Sequence, residues 1–272
     1  MIKLPVIEGI IRRRILVNYR IAPEVVARIL PAPFRPKLHQ GFAIGGICLI
    51  RLEQIRPSGW PAFLGMASEN AAHRIAVVWD ETSASPGRLA GQTAGVNEGV
   101  YIPRRDTNQR LNQLAGGRLF PGEHHFARFE VQDDLRRIDL TMRSADGAVA
   151  VDLHGQSTPV LSPDSVFASL REASAFFEPG SLGFSATRAG LRLDGMELRT
   201  RNWKVDPLQV NEVQSSFFDD TRVFPAGSVT FDCALIMRDI VHEWHGVAAM
   251  ETSLAGRPSA NASLAAKTAK PT

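Results

Sequence analysis

Apolar residues in this chain come in short runs and alternations, separated by frequent turn residues. The segment 7–17, rich in Ile, Val and Leu, predicts a strand that carries a charged step, Arg12-Arg13-Arg14. The segment 41–52 is nearly continuous in apolar residues and predicts a second strand. Gly45-Gly46 inside it points to a bulge or to a close approach by another backbone. Further strands are predicted at 72–79, 124–132, 136–144 and 148–157, then near 182–193, 196–204, 207–217 and 228–240. Asp146-Gly147 and Asp194-Gly195 read as hairpin turns between neighbouring strands.

Helical signals are few. Pro23 suits a first helical turn and Pro31 ends that helix, whose apolar face is Val25, Val26, Ile29 and Leu30. Arg105-Asp106-Thr107 offers a cap for a helix over 108–114, stopped by Gly116-Gly117. Ser162-Pro163-Asp164 opens a third helix that runs to about residue 176. Residues 54–66 read as a loop anchored by Trp60 and Phe63, and 81–90 as a turn-rich connection. Many strands, three short helices and no βαβ alternation predict an α+β, β-dominated barrel or sandwich with peripheral helices. Residues 1–252 are expected to form a single domain, and the Ala/Ser/Thr/Pro/Lys-rich stretch 253–272 a disordered tail.

Composition narrows the class. The 272 residues, 44% hydrophobic and 22% charged, suffice for a full core. No run approaches the roughly 18 consecutive apolar residues of a membrane span. The N-terminus lacks a cationic segment followed by an apolar one, so a cytoplasmic location is expected. The net charge of +3, without a basic block, gives no support for nucleic-acid binding. Cys48 and Cys233 lie in apolar runs and are expected to be buried and reduced. Only five of the 31 basic residues are lysine: Lys3, Lys37, Lys204, Lys267 and Lys270.

The segment Glu98-Gly-Val-Tyr101-Ile-Pro103-Arg104-Arg105 gathers a carboxylate and two guanidiniums at the end of a strand-like run. A planar guanidinium matches a carboxylate bidentately, which suits the capture of an acidic ligand. This segment resembles the acetoacetate decarboxylase superfamily pattern of a glutamate, a tyrosine–proline and two lysines. Tyr19-Arg20, followed by a helix and the exit Leu30-Pro31-Ala32-Pro33-Phe34, resembles a second conserved stretch of those enzymes. Pro121-Gly-Glu-His124-His125-Phe-Ala-Arg128-Phe129, Asn202-Trp203 and 224–231 are similar to the YqjF-like branch. The resemblance covers about residues 8 to 250 and implies a β-barrel of the acetoacetate decarboxylase type.

Carried over on that resemblance, Arg20 falls on an active-site arginine and Glu98 on an active-site glutamate. Arg104 falls on the lysine that forms the Schiff base, and Arg105 on its neighbour. A guanidinium that stays protonated neither attacks a ketone nor becomes an electron-accepting iminium. The resemblance therefore implies the fold without the Schiff-base chemistry. Arg20, Arg104, Arg105, His73 and Tyr101 are the expected ligand-binding residues, and Glu98 and Glu69 the expected proton-transfer groups.

Other candidates are weaker. His124-His125 lies on a strand, so the two rings point to opposite faces and at most one lines a cavity. His242 and His245, three apart, would suit a metal on a helix, but no third ligand accompanies them. No metal and no organic cofactor are expected. The partner expected is a small organic carboxylate, with self-association left open and no membrane contact. Three readings follow: an enzyme of lyase or hydrolase type without Schiff-base chemistry, a non-catalytic binding protein, or a decarboxylase using Lys204.

Overall fold

The computed structural model describes residues 5–80, 95–110, 122–187 and 192–252. Strands run β1 (Ile7–Ile21), β2 (Arg35–Pro36), β3 (Leu38–His39), β4 (Phe42–Pro57), β5 (Met66–Asp80), β6 (Val96–Thr107) and β7 (His124–Asp133). They continue as β8 (Arg137–Ser144), β9 (Ala150–Ser157), β10 (Leu182–Ala186), β11 (Arg192–Thr200), β12 (Asp206–Ser215) and β13 (Val229–Glu251). Among the described residues two complete α-helices, α1 (Pro23–Ile29) and α2 (Leu170–Phe177), lie outside the sheet, with 3-10 turns at Ala62–Leu64 and Glu178–Ser181. Among the described residues no helix is long and apolar enough to cross a membrane.

All strands belong to one sheet, which closes on itself twice. One circuit runs β6–β7–β8–β9–β12–β13–β1–β4–β5 and returns to β6; the other runs β6–β10–β11–β13–β1–β4–β5 and returns to β6. The antiparallel strands β13, β1, β4 and β5, with β6, therefore form a wall common to both circuits. A wall with an interior on each side must be apolar on both faces. That is why 42–50 reads as an unbroken apolar run. Ile15, Val17, Ile47, Leu49, Ala71 and Ile75 face a packed core with Ile138, Leu140, Met142, Val151 and Leu153. Leu16, Cys48, Ala72, Val100 and Ile102 face the second circuit.

Gly46 is needed for the wall to form. A Cβ there would lie 2.2 Å from the Val17 carbonyl oxygen, so the close backbone approach expected at 45–46 is present. Asp146-Gly147 does turn the chain between β8 and β9, with Gly147 at φ +68°.

Several expectations need correction. Asp194-Gly195 is not a turn but lies within β11. Gly195 is required there because a Cβ would lie 2.3 Å from Val247 and 2.6 Å from Phe184. The loop expected at 54–66 is largely strand and 3-10 turn, since β4 continues to Pro57. Arg105-Asp106-Thr107 completes β6, after which Thr107 Oγ1 accepts from the Gln109 N–H and Arg110, the last described residue there, is helical. The third helix starts at Leu170: Ser169 Oγ accepts from Glu172 N–H, while Ser165 and Val166 are held by Asp232. His242 and His245 are on β13, so three-residue spacing puts them on opposite faces. Most of the 108–114 helix, the 81–90 connection and the 253–272 tail lie outside the described residues.

Candidate functional site

The second circuit is not filled. It encloses a cavity of about 140 Å³, comparable to voids that admit a benzene-sized molecule. One end is apolar, where Ile55 lies opposite Met66 and Leu198 opposite Trp244. The other end is cationic and holds Arg14, Arg74 and Arg105 around Cys48, with His124 beside Arg105.

Each arginine is only partly satisfied. Arg14 Nε donates to Cys48 Sγ at 3.0 Å, its guanidinium lies 5.8 Å from the Trp203 ring centre, and its Nη1 has no hydrogen-bond partner. Arg74 Nη2 donates to Asn18 Oδ1 and the guanidinium lies over the Phe177 ring at 5.0 Å, while Nε has no partner. Arg105 Nε donates to Ser185 Oγ at 2.9 Å. Among the described residues none of the three forms an ion pair with a carboxylate. Burial pulls Arg74 and Arg105 each down to about 10, and it pulls His124 down to about 3, with the Arg105 charge adding to the effect. Buried positive charge without a counter-ion costs several kcal/mol, so the cluster is an electrostatic demand for an anion.

Strand parity explains why these arginines enter the cavity. Arg14 shares a face of β1 with Leu16, and Arg74 a face of β5 with Ala72 and Ala76. On β6, Val100 and Ile102 face the cavity, which alternation alone would continue with Arg104. The pairing shifts between His73↔Arg104 and Ile75↔Tyr101, around Pro103, and so Arg105 takes that face instead.

The structure separates the residues expected to meet. Arg104 does not line the cavity; it forks onto Asp106 at 2.7 Å and Asp146 at 2.9 Å. Burial works against the Arg104 charge, and the hydrogen bonds it donates to the two carboxylates overcome it and raise its pKa. Arg20 donates to the Asp164 carbonyl at 3.0 Å and lies 3.7 Å from Asp232. Glu98 is ion-paired with Lys37. Glu69 pairs with Arg13 at 2.8 Å, and burial raises its carboxyl pKa against the pull of Arg13. His73 is fully buried on the opposite face of β5, its ring 4.5 Å from that of Phe217, and burial holds it neutral with a pKa of about 3. Tyr101 packs near Phe34, ring centres 6.0 Å apart. Of the expected set, Arg105 alone lines the cavity. His124 does so as well, and His125 faces Asp146 at 3.2 Å, as alternation requires.

Lys204 is exposed and lines neither cavity. A different lysine, Lys37, reaches a small adjoining cavity with room for about one water, bounded also by Arg14 and Arg74. Its ammonium lies 4.3 Å from the Phe176 ring centre. Sequence reasoning missed Arg14 and Arg74. The available signal was charge inside strands whose neighbours on both faces are apolar.

Comparison with known proteins follows from this geometry. The closed, doubly connected β-sheet is similar in fold to solved structures of an acetoacetate decarboxylase and a related enzyme. Residues 11–231 match the family model DUF2071, described as an uncharacterized conserved protein, and the chain belongs to that family. Acetoacetate decarboxylase from Legionella pneumophila subsp. pneumophila str. Philadelphia 1 matches with a TM-score of 0.52 at 11% identity, over 92% of this chain and 89% of that one. An acetoacetate decarboxylase-like enzyme from Sphingomonas wittichii RW1 matches with 0.52 at 12% identity, over 92% and 94%. The enduracididine biosynthesis enzyme MppR complexed with pyruvate matches with 0.50 at 12% identity, over 92% and 91%. Identities this low speak for the fold alone. The comparison with curated proteins found no match.

Proposed function

We propose that the protein binds a small organic carboxylate in the cavity, held by Arg105 together with Arg14 and Arg74. The observation that carries this reading is three guanidiniums at one end of a cavity, Arg14 and Arg74 buried and Arg105 half-buried, none with a carboxylate partner among the described residues. An anion there gains a charge-assisted interaction with guanidiniums that have no carboxylate partner among the described residues. The apolar far end receives the rest of the molecule. The pyruvate complex of MppR supports the ligand class by analogy of fold.

The reading excludes a Schiff base at the Arg104–Arg105 step, because neither side chain is an amine. Glu98 and Glu69, the proposed proton-transfer groups, are each tied into an ion pair, which favours a binding role over proton transfer. Calorimetric titration with pyruvate, acetoacetate and benzoate tests it. Saturable binding by at least one of them is expected, weakened in Arg105→Ala. No binding by any of the three at millimolar concentration would overturn the reading.

A further inference from the structure

The carboxylate reading leaves unused the sulfur at the centre of the arginines. We propose that Cys48 is a nucleophilic thiol of the cavity, which reacts with small carboxylates bearing an electrophilic carbon.

Four observations converge on it. Cys48 lines the cavity, with 3% of its surface accessible. Its Sγ accepts a hydrogen bond from Arg14 Nε at 3.0 Å, short for a nitrogen–sulfur contact and charge-assisted. Arg74 and Arg105 line the same cavity, so guanidiniums stand around the sulfur on three strands, β1, β5 and β6. Finally, Arg14 and Arg74, 8% and 4% exposed, line the same cavity and keep Nη1 and Nε without partners. Two buried guanidiniums without a carboxylate partner in that lining are a second, separate reason to expect an anion beside the sulfur.

Electropositive surroundings combined with access are what separate reactive cysteines from inert ones. The arginines supply the first and the cavity supplies the second. A carboxylate held by the guanidiniums that line the cavity with Cys48 would bring its neighbouring carbon toward Sγ, so that capture and attack share one geometry. In the reaction a Sγ–C bond forms and the bond from that carbon to its leaving group breaks. The electron pair departs with the leaving group, and the thiol proton passes to water. With iodoacetate as probe the product is carboxymethyl-Cys48, and iodide is released.

The chain contains its own control. Cys233 is 1% exposed and lines neither cavity, and it lies beside a carboxylate, Asp232. Burial first, then the Asp232 charge, push that thiol up to about 12. One cysteine is therefore set among cations inside a cavity and the other beside an anion in packed surroundings.

The proposal rests on the carboxylate reading for capture of the probe, but not for the reactivity of the sulfur. The experiment alkylates the full chain with iodoacetate or with neutral iodoacetamide and quantifies both cysteines by peptide mass spectrometry. Circular dichroism verifies that each variant is folded. Cys48 is expected to be labelled in the native protein, and Cys233 only after denaturation. In Arg105→Gln the iodoacetate rate at Cys48 should fall on the order of tenfold and the iodoacetamide rate by clearly less, because only the charged probe loses steering as well as sulfur activation. Arg105→Lys should restore part of the loss. If Arg105→Gln does not fold, protection of Cys48 by pyruvate in the unmodified chain provides the same test.

Native Cys48 as resistant as Cys233 would overturn the proposal. So would an unchanged iodoacetate-to-iodoacetamide ratio in folded Arg105→Gln. Selective carboxymethylation without measurable pyruvate binding would support the thiol and count only against the pyruvate class. Pyruvate binding with an inert Cys48 would do the reverse.

Discussion

Arg104 and Arg105, adjacent in the chain, face the two different interiors of one sheet. Arg104 is held by Asp106 and Asp146, whereas Arg105 reaches Ser185 and the cavity. Arg105→Ala should therefore weaken carboxylate binding about ten- to a hundredfold, the equivalent of a charge-assisted hydrogen bond of roughly 1.5–3 kcal/mol. Arg104→Ala should instead destabilise the fold by about 3–5 kcal/mol, because it leaves Asp106 buried without its cation. Titration calorimetry and urea denaturation on both variants separate the two effects.

Acidification should destabilise the protein, in part through His73. Its pKa in the folded state, about 3, lies below the ordinary histidine value, so the unfolded chain binds the extra proton first. Its contribution is complete above about pH 6.5 and is lost as the pH falls from there toward 3, at no more than about 1.4 kcal/mol per pH unit. His124 acts in the same direction. Glu69, whose pKa burial raises, acts in the opposite one. Unfolding free energies at pH 7 and pH 5 should differ less in His73→Leu than in the parent; an equal difference would rule out the His73 contribution.

Gly46→Ala should cost on the order of 3 kcal/mol or more, since the new methyl meets the backbone of β1 and not a movable side chain. Gly41 provides the contrast. It has φ +82° but open space around it, so Gly41→Ala should cost only about 1 kcal/mol. Denaturation midpoints of the two variants check the ranking.

Acetoacetate with borohydride should leave the protein mass unchanged and release no carbon dioxide above the uncatalysed rate. Arg104 and Arg105 stand where the resemblance places the Schiff-base pair, and Lys204 lines neither cavity. A reduced adduct mapped to Lys37, the lysine at the small cavity, would refute this expectation.

The fold was legible in the sequence to the extent that periodicity reports strands. The β-dominated class, the Asp146-Gly147 hairpin and the close approach at Gly46 all follow from local chemistry. Asp194-Gly195 misled because a glycine demanded by Val247 and Phe184 looks, in sequence, like a glycine demanded by a turn. The site was less legible. Arg104 and Arg105 exchange faces through a pairing shift at Pro103, and no count of alternating positions anticipates a shift whose cause lies on the neighbouring strand. Arg14 and Arg74 become a pair only when β1, β4 and β5 are laid side by side.

The common wall has a consequence for how the molecule comes apart. β1 opens the described sheet and β13 closes it, and they are paired with each other from Ile7↔Trp244 to Ile21↔Val229. Both circuits pass through that seam. A chain severed between the two strands would retain neither circuit intact in either fragment, and loss of the seam would open the filled ring and the hollow one together. The cavity is thus not a separable module resting on a stable scaffold. Its walls can loosen only as far as the packed ring permits, and a ligand that tightens the hollow side should be felt as added resistance to unfolding throughout the sheet.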